Sequence, residues 1–366
     1  LGRGSDVGSY LSSSSIISGV AFTGSTTVAK QIKRNLVKNG NPEARVIAET
    51  GGLNAMVVDS TALCEQVTRD VIDGAFKSAG QRCSALRVLM IQEECFDETL
   101  KMIKGAMMEL NIGNPKHLST DCGPVINDDA RLKLQGYIDQ SRKRSQIIGE
   151  IQCNLNAGYY VSPTIIHLKS IDEINEEFFG PILHVISYKS SELEDMIDRL
   201  NNKGFGLTFG IHSRIDKQVE EITSRVNAGN IYVNRNQIGA IVGSQPFGGE
   251  GLSGTGPKAG GPSSLHGYSQ SIASTKATDH ELKLYGNIEV NDLILPSNLI
   301  TTGLISKMQK KFSFIESDFF DFLYEEVSKY SAKISLPGPT GESNNIRYKP
   351  KGAALCLGPT EVDTLK

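Results

Sequence analysis

The residue types that could do chemistry centre on one cysteine, Cys83, in the segment 80–84 (GQRCS). A thiol attacks as its thiolate, and a basic neighbour such as Arg82 is of the type that lowers a thiol pKa. Thirty-four residues upstream, Glu49 stands in the segment 49–52 (ETGG), where two glycines let a substrate or a water approach closely. The two residues together predict covalent catalysis, in which the sulfur attacks and the carboxylate handles water and protons.

Two other interpretations of Cys83 stay open at the level of the residues. A lone cysteine is most often a small buried hydrophobic residue, and the chain would then be a non-catalytic structural unit. A cysteine hydrolase is a further alternative, although no histidine is placed in the sequence to suggest its base. The presence of Glu49 beside further ligand-binding motifs favours the enzyme.

Three other segments have the composition of ligand-binding sites. Gly24 and Ser25 follow an apolar run and precede an amphipathic stretch, which predicts a strand, a turn and a helix N-terminus that can hold an anion. The segment 176–181 (EEFFGP) combines acids, aromatic rings and a turn, and could line a pocket. The loop 239–249 (GAIVGSQPFGG) is dense in glycine, so its backbone N–H groups can catch a carboxylate.

Apolar patterns predict the elements that must position these residues. We predict strands over 16–22, 45–48, 54–59, 86–91, 158–166, 182–188, 204–210, 229–234 and 352–357. We predict helices over 28–37, 61–79, 96–110, 130–144, 191–201, 217–226 and 318–330. Pro163 near the middle of its strand predicts an edge position. This alternation indicates an α/β protein, with Cys83 in a loop between a helix and a strand.

Composition bounds the function classes. The chain has 366 residues and a formal net charge of −3, which gives no electrostatic footprint for nucleic acid. No apolar run reaches the roughly 18 residues that a transmembrane helix needs. The six cysteines include no C-x-x-C pair and the histidines show no zinc spacing, so we expect reduced cysteines, a cytoplasmic location and no metal. Membrane association of a longer parent protein is left open.

Five motifs in order carry a resemblance to a known family. They are the segments 20–25 (VAFTGS), 49–52 (ETGG), 80–83 (GQRC), 177–181 (EFFGP) and 246–249 (PFGG). Over about residues 1–275 they resemble the aldehyde dehydrogenase superfamily. Ser84 and the loop 239–243 are similar to its glutamate semialdehyde (pyrroline-5-carboxylate) dehydrogenases. The resemblance implies NAD-dependent oxidation of L-glutamate γ-semialdehyde to L-glutamate in proline catabolism, and leaves open another aldehyde and NADP in place of NAD.

The resemblance also implies a fold and domain boundaries. We expect the aldehyde dehydrogenase fold, with a remnant of a Rossmann-like NAD-binding domain and an α/β catalytic domain, truncated at both ends. The chain begins with Leu1 rather than Met, and we interpret it as an internal fragment. The expected domains are the end of the NAD-binding domain (1–51), the catalytic domain (52–253), a return segment with an oligomerisation hairpin (254–284), a linker with a helix (285–350) and the start of a further domain (351–366).

The resemblance assigns roles residue by residue. Cys83 would form a hemithioacetal and then a thioester, and Glu49 would act as the base for the hydrolytic water. The residues that would bind NAD are Gly24, Ser25, Gly51, Glu177 and Phe179. The residues that would bind the substrate are Ser84, Gly239 and Ala240 at its carboxylate and Phe247 at its aliphatic stem. Leu53 departs from the polar residue that the superfamily generally has after the glycine pair.

The tail implies partners. The segment 336–344 (LPGPTGESN) resembles the region after the dehydrogenase in the bifunctional proline utilization A enzymes, which also carry an FAD-dependent proline dehydrogenase module. We therefore expect that module in the same parent chain. We also expect a homo-oligomer, with residues 263–274 as a candidate contact. The superfamily's oxyanion-hole asparagine and its lysine at the adenosine ribose lie before residue 1, which puts the activity of the isolated fragment in question.

Overall fold

The computed structural model of the chain describes residues 2–153, 158–256, 258–261, 264–268 and 334–347. The chain divides into two compact units, Leu1–Ser269 and Gln270–Lys366. The described part of the second unit is a small antiparallel hairpin, and all other described elements belong to the first. Among the described residues no helix is both long enough and apolar enough to cross a bilayer.

The first unit alternates strands and helices along the chain. Its helices are α1 (Gly4–Ser12), α2 (Thr26–Asn39), α3 (Cys64–Ala75), α4 (Glu93–Met108), α5 (Asp128–Lys143), α6 (Leu193–Asn202), α7 (Asp216–Arg225) and α8 (Ser264–Tyr268). Its strands are β1 (Gly19–Gly24), β2 (Arg45–Thr50), β3 (Ala55–Val58), β4 (Val88–Gln92), β5 (Ile147–Glu150), β6 (Thr164–His167), β7 (Ile182–Tyr188), β8 (Phe205–Gly206), β9 (Thr208–His212), β10 (Asn230–Val233) and β11 (Glu250–Gly251). Short 3₁₀ turns cover Lys77–Gly80, Ile171–Glu173 and Ser190–Glu192. In the second unit, β12 (Ile334–Leu336) pairs with β13 (Asn344–Ile346).

A seven-stranded sheet forms the centre of the first unit. Its strand order is β10-β9-β3-β4-β7-β6-β5, and every neighbouring pair is parallel except β5 with β6. Strands β1 and β2 form a separate parallel pair, and β8 pairs antiparallel with β11. The predicted α/β class is therefore confirmed, and the parallel sheet places the amino ends of β3, β4 and β7 side by side.

The core lies on both faces of this sheet because its strands are apolar on both sides. On β3, Val57 faces a cluster that includes Ile138 of α5 and Ile197 of α6. Its neighbour Val58 faces the opposite cluster, which includes Val71 of α3 and Ile103 of α4. Alternation of the side chains along each strand thus joins two helical layers to one rigid sheet.

The structure corrects several element predictions. Pro163 precedes β6, which lies between β5 and β7, so the edge position predicted for that strand is wrong. The helix predicted over 61–79 ends at Ala75, because Ser78, Ala79 and Gly80 have positive φ angles of 58°, 52° and 62°. The strand predicted over 204–210 is interrupted at Leu207. The Gly- and Ser-rich start of the chain forms α1, which the sequence did not indicate.

Other predictions fall elsewhere in the chain. The helix predicted over 318–330, the strand over 352–357 and most of the contact segment 263–274 lie outside the described residues. The proposed domain boundaries stay predictions. Leu53 is 4% exposed and packs in the core, which gives a physical reason for an apolar residue after the glycine pair.

Candidate active site

Two sets of strand ends meet around the predicted nucleophile. Strand β2 delivers Glu49 near its carboxyl end, at the close of the β1–β2 pair. Cys83 and Glu177 lie before β4 and β7, at the amino edge of the seven-stranded sheet. The site is therefore built between the carboxyl end of one parallel pair and the amino edge of another sheet.

The buried side chain of Asn54 holds the Cys83 loop. Its Nδ2 donates to the carbonyl of Cys83 at 2.6 Å and to the carbonyl of Ala85 at 2.9 Å. Its Oδ1 accepts from the backbone N–H of Thr208 at 3.2 Å, which ties the loop to β9. A turn between Ala85 N–H and the carbonyl of Arg82 (3.1 Å) closes the loop around the half-buried cysteine.

The electrostatic surroundings of Cys83 favour the thiol over the thiolate. Burial raises its pKa, and the charges of Glu177 and Glu49 raise it further, while backbone N–H groups at Cys83 and Ser84 oppose this rise. The prediction that Arg82 lowers this pKa is wrong. Arg82 is exposed, and its Nε donates to Ser78 Oγ at 3.1 Å. The two nearby carboxylates therefore favour a Cys83 that keeps its thiol proton at rest and loses it during the reaction.

Glu49 has the environment of a general base. Its Oε2 accepts from the backbone N–H of Gly249 at 2.8 Å, whereas its buried Oε1 has no hydrogen-bond partner in the part of the chain that the structure describes. Burial raises the pKa of Glu49, and the Gly249 N–H and the charge of Lys258 oppose that rise. A carboxylate with a raised pKa and one oxygen without a partner is able to take a proton from a water.

Lys258 fixes the glycine loop that contacts Glu49. Its buried Nζ donates to the carbonyl of Gly229 and, at 3.3 Å, to that of Pro246. The backbone N–H of Gly248 donates to Asn230 Oδ1 at 3.1 Å. Burial lowers the pKa of Lys258. These contacts hold the segment 246–249 in the position from which Gly249 reaches Glu49.

Glu177 lies against the glycine pair that follows Glu49. A Cβ added at Gly51 would overlap Glu177 Oε2, so any other residue there would displace the Glu177 side chain. Glu177 Oε1 accepts from Arg87 Nη2 at 3.1 Å. Burial raises the pKa of Glu177, and the charge and hydrogen bonds of Arg87 oppose this rise. The structure thus brings together Cys83, Glu49, Gly51 and Glu177, four of the residues predicted from the motifs.

The two phenylalanines after Glu177 have different surroundings. Phe178 is buried and stacks on Tyr137, with ring centroids 3.6 Å apart. Phe179 is 43% exposed, and the Arg87 guanidinium lies 5.1 Å from its ring centroid. One ring therefore anchors the segment in the core, and the other offers an accessible face beside Glu177.

The turn predicted to bind an anion has the expected local structure. Strand β1 ends at Gly24, and Ser25 caps α2 by accepting from the Val28 N–H at 3.3 Å. Both residues are exposed, and Thr26 Oγ1 donates to the carbonyl of Leu252 at 3.1 Å. Ser25 thus takes up the Val28 N–H, and binding of an anion at Gly24 and Ser25 remains a prediction.

The predicted substrate-binding residues divide into two groups. Ser84 is buried beside Cys83, and its carbonyl accepts from Thr208 Oγ1 at 3.5 Å. Gly239 is exposed with a positive φ of 74°, and Ala240 follows it in the same loop. Phe247 is half-buried in the glycine loop near Glu49. Their contact with a substrate stays a prediction.

Sequence reasoning missed the residues that hold this site. Arg87 is 1% exposed and binds both Glu177 and the Cys83 loop, and Asn54 is equally buried. Each could have been found as a lone polar residue at the start of an apolar strand, because a buried polar group requires partners. Ser253, whose Oγ donates to the carbonyl of Gly51 at 2.7 Å, gave no such indication.

Comparison with known proteins shows which family this chain is similar to. Residues 1–273 match the model of the aldehyde dehydrogenase family. The chain is 43% identical over 377 residues to the bifunctional protein PutA of Klebsiella aerogenes, covering 100% of this chain and 28% of that protein. It thus spans little more than a quarter of the length of this relative.

Two solved structures are similar to the chain. A mutant of proline utilization A (PutA) from Bradyrhizobium japonicum is 48% identical with a TM-score of 0.70, covering 73% of this chain and 27% of the other. A 1-pyrroline-5-carboxylate dehydrogenase from Thermus, described with bound NAD, is 32% identical with a TM-score of 0.68, covering 73% of this chain and 52% of the other. Both share the arrangement of elements described above.

Proposed function

Because this chain belongs to the aldehyde dehydrogenase family, we propose that it carries the thiol site of an enzyme that oxidises L-glutamate γ-semialdehyde to L-glutamate with NAD. The observation that carries the proposal is the pairing of a half-buried thiol, Cys83, with a half-buried carboxylate, Glu49, whose buried Oε1 has no hydrogen-bond partner among the described residues. The similarity to 1-pyrroline-5-carboxylate dehydrogenases supports the substrate, because that name denotes the cyclic form of the semialdehyde.

The residues present fit a dinucleotide cofactor. Exposed Gly24 and Ser25 stand at the N-terminus of α2, and the positive end of the helix dipole suits a pyrophosphate. Phe179 offers an accessible ring beside the Glu177 carboxylate, which suits a nicotinamide and its ribose. NAD supplies the hydride acceptor when it is bound.

The residues of this chain divide the reaction between them. The Cys83 sulfur bonds to the aldehyde carbon as the thiol proton leaves to solvent, giving the alkoxide form of a hemithioacetal. Loss of hydride from that carbon leaves a thioester on Cys83. Glu49 takes a proton from a water, the resulting hydroxide attacks the thioester carbon, and the C–S bond breaks to release the carboxylate and the thiol. Overall the aldehyde gains the oxygen of one water and loses a hydride, and the two protons of that water are released.

Substrate choice rests on the carboxylate of the semialdehyde. Ser84 and the loop carrying Gly239 and Ala240 supply hydroxyl and N–H donors for it, and Phe247 packs on the aliphatic stem. An aldehyde without a carboxylate leaves those donors unpaired, which favours the semialdehyde over a simple aliphatic aldehyde. The bifunctional relatives support a proline dehydrogenase module with FAD in the same polypeptide, which would supply the cyclic precursor of the semialdehyde.

The experiment measures NADH formation at 340 nm by the polypeptide that contains this sequence, at its full natural length. We expect turnover of the semialdehyde and weak turnover of an aliphatic aldehyde. Cys83→Ala abolishes both, whereas Glu49→Gln keeps a first turnover and slows steady-state hydrolysis by about 10²–10⁴-fold. Equal turnover of both aldehydes would refute the semialdehyde as the specific substrate, and full activity of Cys83→Ala would refute the thiol mechanism.

A further inference from the structure

Arg87 is a buried side chain that connects two parts of the site. It lies directly before β4 and is 1% exposed. Its Nε and Nη2 donate to Glu177 Oε1 at 3.3 and 3.1 Å. Its Nη1 donates to the carbonyls of Gly80 at 2.7 Å and Gly180 at 3.2 Å, and Nη2 also donates to the carbonyl of Arg82 at 3.2 Å. All five N–H groups of the guanidinium therefore have an acceptor.

The first part is the strained turn before the nucleophile. Ser78, Ala79 and Gly80 have consecutive positive φ angles of 58°, 52° and 62°. For residues with a Cβ this conformation costs roughly 1–2 kcal/mol each, so it persists only when surrounding contacts fix it. Arg87 supplies two of those contacts, because it binds the carbonyls on either side of Gln81.

The second part is the segment 177–180, which precedes β7. Arg87 binds the Glu177 carboxylate and the Gly180 carbonyl at the two ends of this segment, and its guanidinium faces the Phe179 ring between them. Gly180 also lies against the first part, because a Cβ added at Gly80 would overlap the Gly180 carbonyl oxygen.

We propose that Arg87 is a positioning residue that fixes the Cys83 loop and the segment 177–180 relative to each other. It thereby sets the distance between the nucleophile and the side chains proposed to bind the cofactor. The chemical consequence rests on the proposed function, but the positioning does not. A lysine cannot replace it, because three donors on one nitrogen cannot make five hydrogen bonds to four acceptor atoms spread around a planar guanidinium. The charge matters as well, since the guanidinium balances the half-buried Glu177 carboxylate.

The test compares Arg87→Lys with two controls. Arg142→Lys is a matched substitution at an exposed arginine that also binds two carboxylates, Asp139 and Glu150, away from the site. Ile103→Ala removes a fully buried side chain from the opposite core cluster and serves as a control for lost stability. The full-length polypeptide is assayed for thermal unfolding, amide hydrogen exchange by mass spectrometry, and NADH formation.

We expect Arg87→Lys to speed amide exchange in residues 78–85 and 177–180 together, to lower kcat by about 10- to 100-fold and to raise the KM for NAD. Arg142→Lys should leave all three unchanged. Ile103→Ala should lower the unfolding temperature while keeping kcat and the KM for NAD within about twofold. Unchanged exchange in both segments of Arg87→Lys, or equal kinetic loss in Ile103→Ala, would overturn the proposal.

The exchange measurement separates this proposal from the proposed function. If wild-type protein forms no NADH with any aldehyde, the proposed function fails, while joint acceleration of exchange in the two segments still supports the role of Arg87. If wild-type protein is active and the two segments respond independently, the proposed function stands and the coupling by Arg87 is wrong.

Discussion

Asn54→Asp is a sharp test of how the Cys83 loop is held. The substitution keeps the shape of the side chain and replaces its Nδ2 donor by an oxygen. That oxygen would face the carbonyls of Cys83 and Ala85, which now accept from Nδ2 at 2.6 and 2.9 Å. The acceptor on the other side is retained, because Oδ1 still receives the Thr208 N–H.

The magnitude follows from the burial of these groups. Asn54 is 1% exposed, and its hydrogen bond to the Ala85 carbonyl is buried and that to the Cys83 carbonyl partly buried, so little water can replace the lost donors. An unsatisfied buried polar group costs about 1–3 kcal/mol, which gives a loss of about 2–6 kcal/mol for the pair. Burial opposite two oxygens would also raise the pKa of the new carboxyl above its unfolded value, so stability is lost as pH rises, by up to about 1.4 kcal/mol per pH unit.

The assay is urea unfolding of the wild type and the variant at pH 5.5 and pH 8. We expect Asn54→Asp to be less stable than wild type at both values, with the larger deficit at pH 8. Asn114→Asp is the matched control, because Asn114 is exposed and its side chain acts as an acceptor from the Lys116 N–H. A deficit under about 1 kcal/mol, or a larger deficit at pH 5.5, would refute the reasoning.

Three further predictions concern the thiol, the core and the glycine pair. The rate of Cys83 alkylation by iodoacetamide should rise with pH through a midpoint above that of an ordinary thiol, and Glu49→Gln should lower this midpoint because it removes one of the two repelling charges. Burial lowers the pKa of His184 to about 4, so the folded protein favours the neutral imidazole. The free energy of unfolding, measured by urea titration, should therefore fall by about 3 kcal/mol between pH 6.5 and pH 4, and by less in His184→Asn. Gly51→Ala should cost about 1–3 kcal/mol in thermal or urea unfolding and weaken NAD binding measured by fluorescence, because the new Cβ displaces Glu177.

Each of these has an outcome that would contradict it. An alkylation midpoint that rises or stays fixed in Glu49→Gln would show that Glu49 does not act on the thiol. Equal acid sensitivity of wild type and His184→Asn would assign that sensitivity to other groups. Gly136→Ala is the control for Gly51→Ala, because Gly136 lies in α5 with open space around its Cα and alanine there should stabilise by about 0.5–1 kcal/mol. Equal effects at the two glycines would remove the steric argument.

Much of this site could be predicted because local sequence determines it. Ser25 caps α2 as its position after a strand and a glycine predicts, and β7 has the bounds read from its apolar run. Glu49 and Cys83 were expected near each other from the family motifs, and the structure places both carboxylates, Glu49 and Glu177, close enough to affect the thiol. Sequence period and turn chemistry suffice for such features.

The rest depends on contacts between distant parts of the chain. The sign of the Cys83 pKa shift was wrong because the basic neighbour in sequence, Arg82, is exposed, while the charges that act on the thiol come from residues 34 positions before it and 94 after it. The edge position of Pro163 was wrong because β5 covers β6, and nothing in the proline itself reports that partner. Burial and pairing are tertiary properties, which local patterns do not contain.

The positions of Arg87 and Asn54 explain why the site sits at the amino edge of the sheet. A parallel sheet leaves backbone groups unpaired at this edge, and each of the loops entering β3, β4 and β7 needs a donor to fix it. Asn54 supplies donors to the loop before β4 from the start of β3, and Arg87 supplies them to the loops before β4 and β7 from the start of β4. Both side chains are buried, and all their N–H groups donate hydrogen bonds. These rigid contacts hold the Cys83 thiol and the Glu177 carboxylate on their loops. Loss of Asn54 should therefore disturb the loop before β4, and loss of Arg87 the loops before β4 and β7. In both variants the sheet should be disturbed later, so local exchange should change at lower urea than global unfolding.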